Sequence, residues 1–426
     1  VEVGCDDEGA AGAPDNLKVL ADPVTGDGSA VVAVAERAHV AVADPVPSEA
    51  GTGQAAQQAS RSRAADQPAS EKPAAAAVMR SSDHDPGREV YGALDLGTNN
   101  CRLLLARPAR RDFRVTDAFS RIIRLGEGVS QTGRLSDAAM GRTMDALRVC
   151  AGKLERHRVR RHRMVATQAC RVAANGPEFL AKVHAELGLD IEVLDREAEA
   201  SLAVAGCASL IDTSCDYVLV FDIGGGSSEL IWLDLTKRPG GAGSPMHDRL
   251  EAQECIAAWI SLSVGVVTLA ERHGGRHVTP ESFEAMVGEV MAMLEPFEAE
   301  HRFMARTAGA RVHLLGTSGT VTTIAGIELG LPRYDRNKVD GHWLHSTAVR
   351  AVTRSLIARP FEARVAEPCI GADRADLVLA GCAILEALLR QWPCERLRVA
   401  DRGLREGILA TLMSEDGAYR RRRGRF

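Results

Sequence analysis

Asp222-Ile-Gly-Gly-Gly-Ser-Ser-Glu229 follows the apolar run Tyr217-Val-Leu-Val-Phe221 and leads into Leu230-Ile-Trp-Leu233, which predicts a strand, a glycine turn and a returning strand. Three consecutive glycines let backbone N–H groups converge on an anion, and a carboxylate at the strand end can hold a cation bound to that anion. An earlier segment repeats the arrangement. Val90-Tyr-Gly-Ala-Leu94 runs into Asp95-Leu-Gly-Thr-Asn-Asn100, and Cys101-Arg-Leu-Leu-Leu105 returns. One aspartate-glycine turn ordinarily just closes a hairpin; two matched copies suggest two halves facing one phosphate.

The turns sit in a recurring strand-strand-strand-helix order. Residues 90–95, 101–107 and about 113–123 read as strands, and Ser136 is placed to cap an amphipathic helix reaching about His157. A strand at 163–167, a helix at about 177–187, a strand at 190–194 and a helix over 195–210 complete the first half. The second opens with strands at 217–222, 228–235 and about 253–262, then helices near 264–273 and 280–301. Arg311-Val-His-Leu-Leu315 delivers a third glycine-hydroxyl turn, Gly316-Thr-Ser-Gly-Thr320, to the start of a helix. A helix over about 373–391, a strand at 396–400 and a helix to about Met413 follow. The expected division is 89–212 and 213–413, flanked by an extension at 1–88 and a basic tail at 414–426.

The 426 residues, 45% of them hydrophobic, suffice for two cores of ordinary size. Residues 1–88 are rich in Ala, Gly, Pro, Ser, Asp and Gln and carry 14 acidic against 7 basic side chains. They bury too little apolar area to offset ordering, so a disordered extension is expected. The rest is nearly neutral against a formal net charge of −5 for the whole chain, and no specific nucleic-acid partner is expected. The clusters Arg158-Val-Arg-Arg-His-Arg163 and Arg420-Arg-Arg-Arg-Gly-Arg425 read as solvated charge. Ten cysteines without a Cys-x-x-Cys pair point away from zinc and iron-sulfur sites and toward a reducing cytoplasm. No apolar run approaches the ~20 residues of a membrane helix, and the first residues lack a signal-peptide pattern, so no membrane contact is expected.

Six motifs, in this order and spacing, resemble the exopolyphosphatase and guanosine pentaphosphate phosphatase (Ppx/GppA) family over about residues 89–413. They are Asp95 to Asn100, Thr167-Gln-Ala-Cys-Arg171, Glu199-Ala-Ser-Leu202, Asp222 to Leu230, Gly316 to Thr320 and Asp401-Arg-Gly-Leu-Arg-Glu-Gly407. The resemblance implies an α/β actin-like ATPase fold, in which two ribonuclease H-like domains flank a cleft. It also implies Mg²⁺-dependent hydrolysis of a terminal phosphoanhydride, in inorganic polyphosphate or in guanosine pentaphosphate. Ending at Phe426, the chain looks like the family's short form, and a homodimer is compatible with it. A non-catalytic sensor of the same anions and an ATP-dependent kinase of the same fold are the alternatives.

Asp95 and Asp222 are expected to hold Mg²⁺, with Glu229 as a third acidic ligand. The backbone of Gly97 to Asn99 and of Gly224, Gly225, Gly226 and Ser227 would cradle the terminal phosphate, the Thr98, Asn99 and Ser227 side chains adding donors. By residue-wise match to the family motif, Glu199 looks like the carboxylate that orients or deprotonates the attacking water. Glu197 is its rival, but two residues along a helix differ by ~200° in direction, so only one can face the site. Arg171 should meet a phosphate through its planar fork, and Arg102 on the returning strand is a further candidate. Thr317, Ser318 and Gly319, at a helix amino terminus, suit a phosphate or a guanosine, or simply cap the helix. Compared with the family's usual Glu-Glu-Ala-Arg-Leu, Ala198 replaces the first glutamate and Ser201 the arginine. Closure of the two halves on the substrate is expected.

Overall fold

Side chains alternate between two cores along the first strand of each half, and this period-two pattern fixes both sheets. The computed structural model describes residues 89–418 apart from 110, 111, 239, 240, 242 and 244–248. The expected disordered extension at 1–88 and the Arg420 to Arg425 cluster lie outside the described residues. The first half contributes β1 (Tyr91–Leu96), β2 (Asn100–Pro108), β3 (Phe113–Ile122), α1 (Asp137–Arg156), β4 (Arg161–Ala166), α2 (Gln168–Val172), α3 (Gly176–Leu187), β5 (Glu192–Val193) and α4 (Arg196–Cys207). The second contributes β6 (Tyr217–Ile223), β7 (Ser228–Asp234), β8 (Ile256–Leu262), α5 (Val266–His273), α6 (Pro280–His301), β9 (Val312–Thr317), α7 (Gly319–Glu328), β10 (Trp343–His345), α8 (Ser346–Ala358), α9 (Val378–Gln391), β11 (Arg396–Ala400) and α10 (Leu404–Glu415).

The first sheet has the order β3-β2-β1-β4-β5, with β1 antiparallel to β2 and parallel to β4. The second repeats it as β8-β7-β6-β9-β11 and adds β10 at the far edge. These are two ribonuclease H-like lobes of the actin-like ATPase fold, as the motifs imply. In β1, Leu94 and Leu96 face α1 and α3 while Tyr91 and Ala93 face the interior of the molecule. In β6, Phe221 and Ile223 join the outer core with α6 and α9, and Val218 and Val220 join the inner one.

Two helices fill the space between the sheets. Helix α4 leaves the first sheet yet packs Ala200, Val204 and Cys207 on the inner face of the second. Helix α10, which sequence order groups with residues 213–413, packs Ile408, Leu409 and Leu412 on the inner face of the first. Each lobe therefore borrows a layer from the other. The crossing is tight enough to need glycine: a Cβ on Gly206 would lie 1.9 Å from the Gly403 carbonyl oxygen, and one on Gly407 2.0 Å from that of Leu202.

Caps set the helices in register. Ser136 Oγ accepts the Ala139 N–H at 3.3 Å, as its position predicts, and Asp195 Oδ1 accepts the Ala198 N–H at 2.7 Å, starting α4 one turn before Glu199. Two expected elements start later than the sequence suggests. The strand over 253–262 begins at Ile256 after a helical turn, and the helix over 373–391 begins at Val378. In the second case the Leu377 and Val378 N–H groups both bond the Arg374 carbonyl, closing a turn rather than a helix over 373–377.

Candidate active site

The two glycine hairpins are built alike and touch. The Gly97 N–H bonds the Asn100 carbonyl and the Gly224 N–H the Ser227 carbonyl, each at 2.9 Å. Carbonyls at both tips are then pinned from behind. Ile123, Arg124 and Gly126 donate to Asn99 and Thr98, and Val266 and Val267 donate to Gly224 and Gly225. The amides of Thr98, Asn99, Gly225 and Gly226 are left with no acceptor among the described residues. A Cβ on Gly225 would sit 3.0 Å from Thr98 Cβ, and one on Gly226 2.9 Å from Thr98 Oγ1, so only glycine lets the second tip approach the first.

Around the tips lies a cavity open to solvent. Asp95, Gly97, Thr98, Asn99, Arg102, Glu199, Asp222, Gly224, Gly225, Gly226, Ser227, Glu229, Ser318 and Gly319 all line it, so nearly every residue singled out in the sequence converges there. A second cavity continues past Asp95, Asp222 and Arg102 to Thr317, Tyr334, Asp401 and Arg405. The register explains the convergence: Asp95 stands opposite Arg102 across β1 and β2, and Asp222 opposite Glu229 across β6 and β7. The two lobes place an acid at the same point of the hairpin and differ only in its cross-strand partner.

Four acids share the site. Asp95 and Asp222 accept no hydrogen bond and form no ion pair among the described residues. Burial raises Asp95 above the usual carboxylate range against the opposing charges of Arg102 and Arg405. Burial likewise pushes Asp222 up to about 7, opposed by Arg102 and reinforced by Glu199 and Asp95. Glu199 is raised by burial and then by Glu229, with Arg171 opposing, and Glu229 is raised by burial and by Asp222. These are hard oxygen donors short of positive charge. Among the described residues no three His, Cys, Asp or Glu side chains come close enough to enclose a metal. The donor set therefore fits an ion that keeps most of its own water, as Mg²⁺ does, better than a caged one.

Basic side chains stand among these acids. Arg102 from the first lobe and Arg374 and Arg405 from the second have no hydrogen-bond or ion-pair partner among the described residues, and all three line the cavities. Burial lowers Arg374 and Arg405, and the Arg102 charge lowers both further, against the acids near each. Arg374 and Arg405 were missed in the sequence. Arg405 belongs to a motif that was noted, but Arg374 lies in a stretch read as helix, and nothing local marks it.

Several expected contacts are redirected. Arg171 does not line the cavity: its Nη1 donates to Glu199 Oε2 at 2.9 Å and to the Leu194 carbonyl, and its Nη2 to Gln168 Oε1. It holds the carboxylate rather than standing in the cavity. The Ser227 hydroxyl donates to Glu229 Oε1, which also accepts from Ser261, so one of the two oxygens of this expected metal ligand is already hydrogen-bonded within the protein. Thr317 Oγ1 donates to the Arg402 carbonyl at 2.5 Å. Ser318 Oγ accepts from Thr320 and Val321, the capping alternative for that turn, with a strained φ of 147°. Glu197 faces a separate depression shared with Ser201, whose hydroxyl accepts from Gln253. Position 201 is thus turned away from the cavity around the hairpin tips.

A family model described as the Ppx/GppA phosphatase family matches residues 109–416. The chain is 28% identical to exopolyphosphatase 2 of Mycobacterium tuberculosis over 337 residues, covering 75% of this chain and 97% of that one. It is 27% identical to the guanosine-5'-triphosphate,3'-diphosphate pyrophosphatase of Photobacterium profundum over 345 residues, 78% of this chain and 61% of that longer one. Among solved structures, a Ppx/GppA family member from Aquifex aeolicus superposes with a TM-score of 0.61 at 27% identity, over 77% of this chain and 98% of that one. An exopolyphosphatase from Cytophaga hutchinsonii, at 24% identity and a TM-score of 0.66 over 77% and 98%, shares the fold.

Proposed function

The chain belongs to the Ppx/GppA phosphatase family, and from that premise we propose that it releases the terminal orthophosphate of inorganic polyphosphate, of guanosine pentaphosphate, or of both. The observation that carries this reading is the shared cavity in which two free-amide glycine tips meet Asp95, Asp222 and Glu199. A phosphoanhydride is protected by its own negative charge, so catalysis consists mainly of neutralising the phosphate oxygens and placing a water in line. The amides of Thr98, Asn99, Gly225 and Gly226 surround the terminal group. Arg102, Arg374 and Arg405 take the charge that collects on the leaving phosphate as the bridging P–O bond breaks. Glu199, fixed by Arg171, accepts the proton of the water that forms the new P–O bond, a transfer worth typically 10²–10⁴ in rate.

Asp95 and Asp222 would hold Mg²⁺ through water. When bound, the ion supplies positive charge to the phosphate oxygens. Among the described residues no helix is long and apolar enough to cross a membrane. The described cysteines are all free thiols, which suits the reducing cytoplasm we assign to the protein. The test is phosphate release from long-chain polyphosphate and from guanosine pentaphosphate, with and without Mg²⁺, for wild type and Glu199→Gln. A fall in kcat of ~10²-fold or more is expected. A rate unchanged by the substitution rules Glu199 out as the base, and tight binding of both substrates without turnover makes the protein a sensor.

A further inference from the structure

The turn that carries Arg374 is attached to the opposite lobe through one side chain. Arg124, just past β3 with φ 49°, reaches across the cleft mouth. Its Nη1 donates to Asp376 Oδ2 at 2.9 Å and its Nη2 to Asp376 Oδ1 at 3.0 Å, a bidentate fork, and Nη2 also donates to the Asp373 carbonyl at 3.1 Å. Between those anchor points stands Arg374. Its own guanidinium is unpartnered among the described residues, and Nη1 lies 3.6 Å from where a Cβ on Gly319 would be. Residues 373–377 form a turn rather than a helix, and no side-chain hydrogen bond among the described residues fixes how far this guanidinium enters the cavity.

We infer that Arg124 is a positioning residue: by gripping Asp376 and the Asp373 carbonyl it holds the 371–377 turn so that Arg374 meets the phosphate chain of the substrate. The inference rests on the function proposed above. Two like charges, Arg102 and Arg374, line one cavity from different lobes, each without a hydrogen-bonded or ion-paired carboxylate among the described residues, and repel one another, an arrangement that suits a polyanion between them. The grip on the turn is separable from lobe contact in general. A second link joins the same first-lobe segment to the second lobe, where the Gly128 N–H donates to Glu271 Oε1 at 2.8 Å and the Ser130 hydroxyl bonds the other oxygen. Loss of Arg124 therefore removes the first-lobe anchor of the turn, whose Ala375 and Leu377 stay packed in the second-lobe core, while the lobes stay joined.

The test is a double-mutant cycle read by calorimetric titration with inorganic tripolyphosphate, all in a Glu199→Gln background so that the probe is not consumed. Arg374→Gln should weaken binding roughly tenfold to a hundredfold, the loss of one charge-assisted contact. Arg124→Gln and Asp376→Asn should each weaken it about fivefold or more with thermal midpoints close to the parent. Arg124→Lys, which keeps the charge but not the fork, should fall short of full rescue. In an Arg374→Gln background, Arg124→Gln should add less than about twofold, because its effect passes through the missing side chain. Losses that multiply, or an Arg124→Gln variant that binds like the parent, overturn the inference. Failure of the parent to bind tripolyphosphate at all sinks both this inference and the function beneath it.

Discussion

Arg171 illustrates how a residue's role follows from what it touches rather than from its motif. Its fork is spent on Glu199, Gln168 and the Leu194 carbonyl, so Arg171→Met should lower kcat by at least about tenfold and leave KM within about twofold. A phosphate contact would instead raise KM. His313, on β9, sits far from this chemistry in purpose and governs stability. Its Nδ1–H donates to the Leu314 carbonyl and its Nε2 accepts the Asp212 N–H at 3.1 Å, so the buried ring must be neutral. Burial pushes it down to about 4; the Leu314 carbonyl and Asp212 pull the other way, and Arg398 and Arg396 add to the depression. Between pH 6.5 and about 4 the unfolded chain binds a proton that the folded one refuses. Stability is therefore intact above this window and falls as pH drops through it, by up to ~3 kcal/mol. Denaturant midpoints measured across that range should show the loss, and His313→Gln should flatten it.

The elements that could be read from the chain were those whose signal is local. Both aspartate-glycine hairpins are bracketed by continuous apolar runs of strand length, and their structure follows directly, as does the Ser136 cap. Arg374 was illegible for the opposite reason: it owes its place to a turn anchored by Arg124, 250 positions earlier in sequence by number and adjacent only in space. The Ser227 hydroxyl and the Arg171 fork were misdirected because each had two chemically reasonable partners, and only packing chooses between a phosphate and a neighbouring carboxylate. The exchange of α4 and α10 between lobes was equally hidden, since sequence order assigns a helix to the strands beside it. Gly407 was noted only as part of a motif, and the crossing supplies its reason. Gly407→Ala forces the helices apart against the Leu202 carbonyl and should destabilise the protein by ~1–3 kcal/mol or more, seen as a lower urea midpoint at unchanged slope.

At the scale of the molecule, two lobes that share their inner helices cannot melt separately. Removal of α4 exposes Val218, Val220 and Ile231 of the second sheet, and removal of α10 exposes Tyr91, Ala93 and Leu104 of the first. Scanning calorimetry of the free protein should accordingly give one cooperative transition for both lobes. Two resolved transitions would mean that the exchanged helices contribute little. Saturating tripolyphosphate should move that one transition upward as a unit, since its ligands come from both sides of the cleft.

The same exchange bears on how the chain is born. Synthesis runs from the amino terminus, so β1 to β3 emerge from the ribosome long before Leu404, yet the helix that covers their inner face follows the strands of the second lobe. The first sheet must wait, half dressed, through translation of the whole second lobe.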